Sequence, residues 1–143
     1  MPYELLEDAP TADVGFRAVG PTLDACFQSA AEAVLSVMLG NPAAFTPLAR
    51  VALRVESESL DLVLVRFLEE FVFEKDAHAR FLRPVAVDVH QADGRWVVEA
   101  VAEADTIDPT RHQLGADVKA VTMHRLRVQP VGAGWEATVV LDI

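Results

Sequence analysis

The apolar residues of this chain follow two different periods, and the order in which those periods occur constrains the fold. From Leu23 to Met38 and again from Leu60 to Phe71 they recur with the 3.6-residue period of an amphipathic helix. Elsewhere, as from Val14 to Val19, they alternate with polar residues as in a half-buried strand. The order strand, helix, strand, helix and then a run of strands predicts an α+β domain. In it a mainly antiparallel sheet system packs with two amphipathic helices.

Capping and turn residues predict where these elements begin and end. Thr22 is placed to cap the first helix, and Ser57 or Ser59 the second. Gly40-Asn41-Pro42 is expected to end the first helix, with glycine in the left-handed conformation and proline preventing continuation. Asp93-Gly94 predicts a hairpin. The other strands are predicted at 51–55, 85–89, 96–104, 123–129 and 135–141, with an irregular segment after residue 108.

The length and the apolar runs limit the class of protein. The 143 residues fit one domain, predicted over residues 1–143. Charged residues interrupt every apolar run before the roughly 20 residues that a membrane span requires, so no membrane segment is expected. Met1-Pro2-Tyr3-Glu4 does not resemble a signal peptide, and the single Cys26 cannot form an internal disulfide. These features predict a cytoplasmic protein.

The chain is strongly acidic, with 22 Asp and Glu residues against 12 Lys and Arg residues and a formal net charge of −10. Proteins bind nucleic-acid phosphates through clustered Lys and Arg, and this sequence contains no such cluster. Tight direct binding of nucleic acid is therefore not expected. A basic protein partner or a bound cation suits the charge better.

Two carboxylates near the chain ends are candidate metal ligands. If the first and last strands are neighbours, Asp13 and Asp142 meet, and the main-chain carboxylate of Ile143 adds a third oxygen donor. Hard oxygen ligands favour Ca²⁺, or Mg²⁺ and Mn²⁺, over zinc. In the alternative interpretation, Asp13 organises a turn and Asp142 is a solvated residue of the chain end.

The remaining candidates are a lysine and two histidines in the second half of the chain. Lys119 is either a partly desolvated ammonium in an apolar stretch or an exposed lysine on a strand edge. His112, next to Arg111, is either part of a polar functional loop or a hydrogen-bonded structural residue. His124 follows twelve residues later without a zinc-binding motif, and no catalytic motif is present. We therefore do not expect a standalone enzyme.

Several of these segments together resemble the archease family. They are Thr11-Ala12-Asp13-Val14-Gly15, Thr22-Leu23, Arg111-His112, Val118-Lys119-Ala120-Val121-Thr122, His124 and the final strand from Trp135 to Asp142-Ile143, in the family's order. The resemblance covers nearly the whole chain. Pro10 stands where the family usually has histidine, and Met123 where it usually has tyrosine. These differences leave the aspartates in place but remove two polar groups.

The resemblance implies a function and a site. Archeases are non-enzymatic cofactor proteins of RtcB-type RNA ligases in tRNA splicing and RNA repair, where they promote guanylylation of the ligase and multiple turnover. By resemblance, Asp13, Asp142 and Ile143 hold a divalent cation, usually calcium, and Lys119 is functionally important. Arg111, His112 and His124 are the further candidate residues for activation of the partner.

Two other functions remain open from the residues. An acidic protein of this kind could be a chaperone or modulator of other RNA-processing enzymes. A small metal-dependent hydrolase would use Asp13, His112 and Asp142. The hydrolase would turn over substrate by itself, whereas an activator would need its ligase.

Overall fold

The protein is described by a computed structural model that covers residues 2–6 and 13–143. Its helices are α1 (Leu23–Met38) and α2 (Leu60–His78). Its strands are β1 (Tyr3–Leu6), β2 (Asp13–Gly20), β3 (Ala49–Ser57), β4 (Arg80–Ala92), β5 (Arg95–Thr106), β6 (Ala120–Val121), β7 (Arg127–Val131) and β8 (Gly134–Asp142). Residues 107–119, which connect β5 to β6, are called the strap below.

The strands form two separate antiparallel sheets. In the five-stranded sheet, β1 pairs with β2, β2 with β8, and β8 with both β6 and β7. In the three-stranded sheet, β5 lies between β3 and β4. The first and last long strands, β2 and β8, are therefore neighbours although they lie at opposite ends of the sequence. The predicted single α+β domain with two helices and mainly antiparallel sheets is confirmed.

Helix α1 lies at the centre of the molecule, in contact with both sheets and with α2. Three small residues of this helix, Ala30, Ala31 and Ala33, are fully buried and allow close approach on more than one face. Aromatic packing joins the helices, since the rings of Phe27 and Phe67 stack with centroids 6.3 Å apart. No helix in the described part of the chain is long and apolar enough to span a bilayer.

The predicted starts of both helices are confirmed. The prediction that a left-handed Gly40 ends α1 is wrong. Thr22 accepts a hydrogen bond from the Ala25 amide, and Ser59, not Ser57, caps α2. Leu39, the C-cap of α1, has extended backbone with φ −120°, and Gly40 is not left-handed. The strap is the reason: it pairs with the helix end through a bridge between Leu39 and Leu114, which favours extended geometry.

The sequence patterns missed or misplaced three strands. Strand β1 was not predicted, and β6 lies in the segment expected to be irregular. The strand expected at 123–129 is β7 at Arg127–Val131, because residues 122–126 form a loop in which Arg125 has a positive φ of 56°. Strands β3, β4 and β5 are all longer than predicted.

The strap lies directly on the carboxyl end of α1. The Gly115 amide donates to the Met38 carbonyl at 2.8 Å, and the Ala116 amide to the Val37 carbonyl at 2.9 Å. These are carbonyls of the last turn, which have no partner within a helix. A Cβ at Gly115 would lie 2.2 Å from the Val37 oxygen, so only glycine allows this approach.

We expect Gly115→Ala to lower the free energy of unfolding by about 2 kcal/mol, the cost of overpacking against backbone that cannot move aside. Gly40→Ala is the matched control, because the two nearest atoms to its Cβ, at 3.2 Å, belong to the Gln113 side chain. Urea unfolding of both variants measures the difference. Equal stability of the two variants would contradict close contact between strap and helix.

Candidate functional site

The site predicted from the chain ends lies at one edge of the five-stranded sheet. Asp13 is directly opposite Asp142 in the pairing of β2 with β8, and Ala120 of β6 is opposite Asp142 on the other side. Directly opposed residues have Cβ atoms about 4.5–5.5 Å apart. Asp13, Asp142 and Ile143 are all partly buried. The geometry thus brings together the three residues that the sequence singled out as candidate ligands.

The described residues provide no ion-pair partner for this pair of aspartates. Among the described residues, neither the Asp13 nor the Asp142 carboxylate forms a salt bridge or a side-chain hydrogen bond. Like charges placed directly opposite each other destabilise a sheet. The sheet therefore holds two repelling carboxylates at this edge.

Lys119 lies beside the aspartates at the end of the strap. Its backbone amide donates to the Asp142 carbonyl oxygen at 2.8 Å, and its side chain is exposed. The neighbouring valines hold the segment in place, since Val118 is fully buried and Val121 is 7% exposed. Of the two interpretations of Lys119, the structure shows the exposed lysine. The alternation of buried valine and exposed lysine fixes the backbone and leaves the ammonium in solvent.

The loop after β6 carries two further exposed residues. Thr122 anchors the loop, because both its amide and its hydroxyl donate to the Val140 carbonyl, at 3.0 and 2.9 Å. The His124 amide then donates to the Thr122 hydroxyl oxygen at 3.2 Å. His124 is exposed, and so is Met123, with 65% of its surface accessible. His124 is thus accessible to a partner molecule.

Arg111 and His112 occupy a different place, around the fully buried carboxylate of Asp105. The Arg111 guanidinium donates to both Asp105 oxygens, at 2.9 and 2.8 Å, and the Thr46 amide donates at 2.8 Å. The His112 Nε2 atom lies 2.8 Å from Asp105 Oδ2. Since the Asp108 amide donates to His112 Nδ1, the neutral ring carries its proton on Nε2 and donates it to Asp105.

The hydrogen-bond network around Asp105 has a structural role. The His112 side chain has no solvent-exposed surface, and both of its ring nitrogens are occupied. Arg111, about one third exposed, also donates to the Ala44 carbonyl at 2.7 Å and so joins the strap to the turn after α1. Burial of His112 supports the structural interpretation over direct contact with a partner. Sequence reasoning missed Asp105, although a carboxylate on an apolar strand six residues before Arg-His was an available signal.

Electrostatics stabilise the ionised form of Asp105. Hydrogen bonds from the Arg111 guanidinium are the main reason that the pKa of this carboxyl lies well below its usual range, with smaller effects from Thr46 and His112. Burial acts in the opposite direction and is outweighed. A second ion pair fixes the strap further along, where Lys75 Nζ of α2 lies 2.7 Å from Asp117 Oδ1.

Comparison with known proteins decides the family. The model of the Archease protein family (MTH1598/TM1083) matches residues 3–143. The chain belongs to the archease family. Protein archease of Pyrococcus furiosus is 31% identical over 134 residues, which are 93% of this chain and 94% of that protein. The family predicted from the motifs is thus confirmed.

Solved structures show the same fold. The solution structure of Methanobacterium thermoautotrophicum protein 1598 superposes with a TM-score of 0.84, at 26% identity, over 99% of each chain. An archease from Thermotoga maritima described as a possible chaperone gives a TM-score of 0.56 at 15% identity, over 94% of this chain and 93% of that one. The latter likeness concerns the fold alone. Of the archease motif segments, Pro10, Thr11 and Ala12 lie outside the described residues.

The Asp105 network predicts acid sensitivity. Because the folded-state pKa of Asp105 is lowered, its contribution to stability is complete above the unfolded-state pKa of about 3.9 and is lost as pH falls towards the folded-state value. Near pH 7, Asp105→Asn should lower the free energy of unfolding by about 3 kcal/mol, since it leaves its charged and polar partners without the carboxylate. The difference from wild type should shrink below about pH 4.

Urea unfolding between pH 3 and pH 8 measures this difference. Asp93→Asn is the control, because Asp93 is exposed in the hairpin turn at φ 51°, a conformation that asparagine tolerates. A pH-independent loss in Asp105→Asn would show that the ion pair is not its cause.

Proposed function

We propose that this archease is a non-enzymatic cofactor protein of an RtcB-type RNA ligase, promoting guanylylation of the ligase and multiple turnover. One observation carries the proposal: Asp13, Asp142 and the Lys119 backbone are hydrogen-bonded neighbours at one sheet edge, with the Lys119 side chain in solvent. The family membership supports it. We also propose that the protein acts in the cytoplasm.

The residues at this edge fit a divalent cation. Asp13 and Asp142 present carboxylates with no cationic partner among the described residues, and Ile143, the residue after Asp142, would add main-chain oxygens. An all-oxygen donor set suits Ca²⁺, Mg²⁺ or Mn²⁺. When bound, such an ion would supply positive charge for phosphate oxygens.

In this proposal the chain itself holds the charge of the Lys119 side chain in position. Buried Val118 and the hydrogen bond from the Lys119 amide to Asp142 hold the base of the lysine side chain. We propose that the Lys119 ammonium pairs with triphosphate or with a ligase carboxylate while the ligase histidine is guanylylated. A fixed charge of this kind acts by orientation and by stabilising developing negative charge.

The competing functions differ in what they need. A metal-dependent hydrolase with His112 as acid or base would need an accessible ring, whereas the His112 side chain is buried and engaged at both nitrogens. A chaperone for other RNA-processing enzymes would use the same acidic surface, and the Thermotoga maritima relative is described as a possible chaperone. Stimulation of purified ligase on naked RNA substrate separates activation from general chaperoning.

The cation part of the proposal predicts a reversal in stability. Without divalent ions, Asp13→Asn and Asp142→Asn should each raise the free energy of unfolding by about 0.5 kcal/mol, because each removes one of two opposed charges. With calcium at about 100 times its Kd, wild type should gain about 2.7 kcal/mol by mass action. Both variants should gain much less and become less stable than wild type.

Thermal unfolding with EDTA and with excess calcium, magnesium or manganese provides the measurement. Asp93→Asn, remote from this sheet edge in the hairpin between β4 and β5, should respond to the ions as wild type does. If both aspartate variants are stabilised as strongly as wild type, the cation binds elsewhere.

The Lys119 part predicts loss of activation without loss of folding. Lys119→Ala should change the free energy of unfolding by less than about 0.5 kcal/mol, because the side chain is exposed and alanine retains the backbone hydrogen bond. Stimulation of ligase guanylylation should collapse. Lys119→Arg should restore only part of it, since a planar guanidinium does not reproduce a compact ammonium.

Single-turnover guanylylation of the ligase, with circular dichroism of each variant, is the assay. Arg50→Ala is the control for loss of an exposed cation, because Arg50 lies on β3 in the other sheet. Full stimulation by folded Lys119→Ala would remove Lys119 from the proposed function.

A further inference from the structure

The outer face of the three-stranded sheet carries a second group of potential metal ligands. Asp88 of β4 is directly opposite Glu99 of β5, and His90 lies two residues further along β4 on the same face. This face points away from the core, since the intervening Val89 and the adjacent Val98 are the buried residues. One ring nitrogen of His90 and one oxygen from each carboxylate lie within 4.8 Å of one another.

On this face the arginines form ion pairs with other carboxylates, including Arg54, which lies directly opposite Glu99 in the pairing of β3 with β5. Two other carboxylates of the same face have arginine partners: Glu103 lies 2.8 Å from Arg83, and Glu56 lies 2.9 Å from Arg54. Among the described residues, Asp88 and Glu99 form ion pairs only with His90. Asp88 and Glu99 therefore have only the His90 ring as an ion-pair partner among the described residues. A neutral imidazole does not balance their two negative charges.

The imidazole itself has an unsatisfied atom. Nδ1 of His90 has almost no accessible surface and no hydrogen-bond partner, although Asp88 Oδ2 lies 3.0 Å away. The other nitrogen, Nε2, lies 3.7 Å from Glu99 Oε1, beyond hydrogen-bonding distance. The ring is thus held between two carboxylates without a well-formed hydrogen bond to either.

We propose that Asp88, His90 and Glu99 form a binding site for a divalent transition-metal ion of the zinc type. One imidazole nitrogen and two carboxylate oxygens are ligands that zinc accepts, at about 2.0–2.2 Å, and two ligands of one ion then lie about 3 Å apart. Asp88 Oδ2 already lies 3.0 Å from His90 Nδ1, the spacing of two ligands of one ion, whereas Glu99 Oε1 faces the other ring nitrogen at 3.7 Å and must rotate to reach an ion bound at Nδ1. Three protein ligands leave a further position to water.

The backbone fixes the relative positions of two of the three proposed ligands. Asp88 and Glu99 lie on adjacent antiparallel strands of a continuous hairpin, so their separation is set by the register of the sheet. All three side chains are partly exposed, with His90 at 38%, so an ion can enter from solvent. Binding would link β4 to β5 and stabilise the hairpin.

The choice of ion separates this site from the aspartate pair of the other sheet. An imidazole nitrogen favours zinc, cobalt or nickel, whereas the oxygen donors of Asp13 and Asp142 favour calcium or magnesium. The two sites should therefore respond to different ions and different substitutions. This inference does not depend on the proposed activation of a ligase.

Isothermal titration of EDTA-treated, dialysed protein with ZnCl₂ tests the site, in buffer with excess Ca²⁺ to occupy oxygen-only sites. We expect one zinc per chain in wild type. His90→Gln and Glu99→Gln should each weaken zinc binding at least about tenfold, the loss typical even of outer-shell changes. Cobalt(II) titration should give visible absorption bands in wild type that His90→Gln abolishes.

Two control variants complete the test. His124→Gln removes another exposed histidine, and Asp13→Asn alters the other candidate cation site. Both should bind zinc as wild type does, and circular dichroism checks the fold of each variant. Unchanged zinc affinity in His90→Gln, loss of zinc binding in either control, or no binding by wild type at millimolar zinc would each overturn the proposal.

Discussion

The buried carboxylate of Asp105 is the interaction on which the position of the strap depends. A fully buried charge is costly unless it is paired and hydrogen-bonded, and this one receives donors from Arg111, His112 and Thr46. Two of the three partners belong to the strap. Satisfying the Asp105 charge therefore requires the strap to lie across the sheet and the turn after α1. The polar network substitutes for regular secondary structure in residues 107–119.

The strap is held in place by α1, and it in turn positions Lys119 beside Asp142. Gly115 and Ala116 donate to carbonyls of the last helical turn, so the helix end and the strap complete each other's hydrogen bonds. Beyond them, Lys75 holds Asp117, Val118 enters the core, and the Lys119 amide reaches Asp142. A chain of contacts thus runs from the core helix to the exposed lysine. Helix α1, buried between two sheets, provides the fixed reference.

Sequence reasoning worked where the determinants were local. Helical periodicity and the caps at Thr22 and Ser59 located both helices, because these signals lie within one or two turns of each other. The residues predict that Asp13 and Asp142 meet only if the first and last strands are neighbours, the family resemblance implies it, and the register places them opposite each other. Local signals failed at the end of α1, where pairing with Leu114, far along the chain, overrides the preference of Gly40.

Contacts between segments that are distant in the sequence could not be predicted for the same reason. Thr46 and Asp105 are 59 residues apart, and nothing in either local sequence indicates that they meet. The motif makes His112 a candidate for partner contact, yet its burial depends on the Asp105 carboxylate of β5, seven residues before it, which sequence reasoning missed. His90, interpreted as a surface residue, is partly exposed, but the proximity of Glu99 follows only from the pairing of β4 with β5.

Asp105 and the pair Asp13 and Asp142 differ in how the described residues compensate their charges. Asp105 is compensated entirely by the protein, whereas the opposed aspartates have no described cationic partner and face a nearby exposed Lys119. Under the proposed function, the carboxylates of Asp13, Asp142 and Ile143 and the Lys119 ammonium give this edge a local charge of −2, which one divalent cation neutralises. That neutralisation would allow a protein with a net charge of −10 to approach a triphosphate at one defined place. Stability alone would favour neutralising these aspartates internally, as Asp105 is neutralised, so their lack of compensation is the feature that a cation-dependent activator requires.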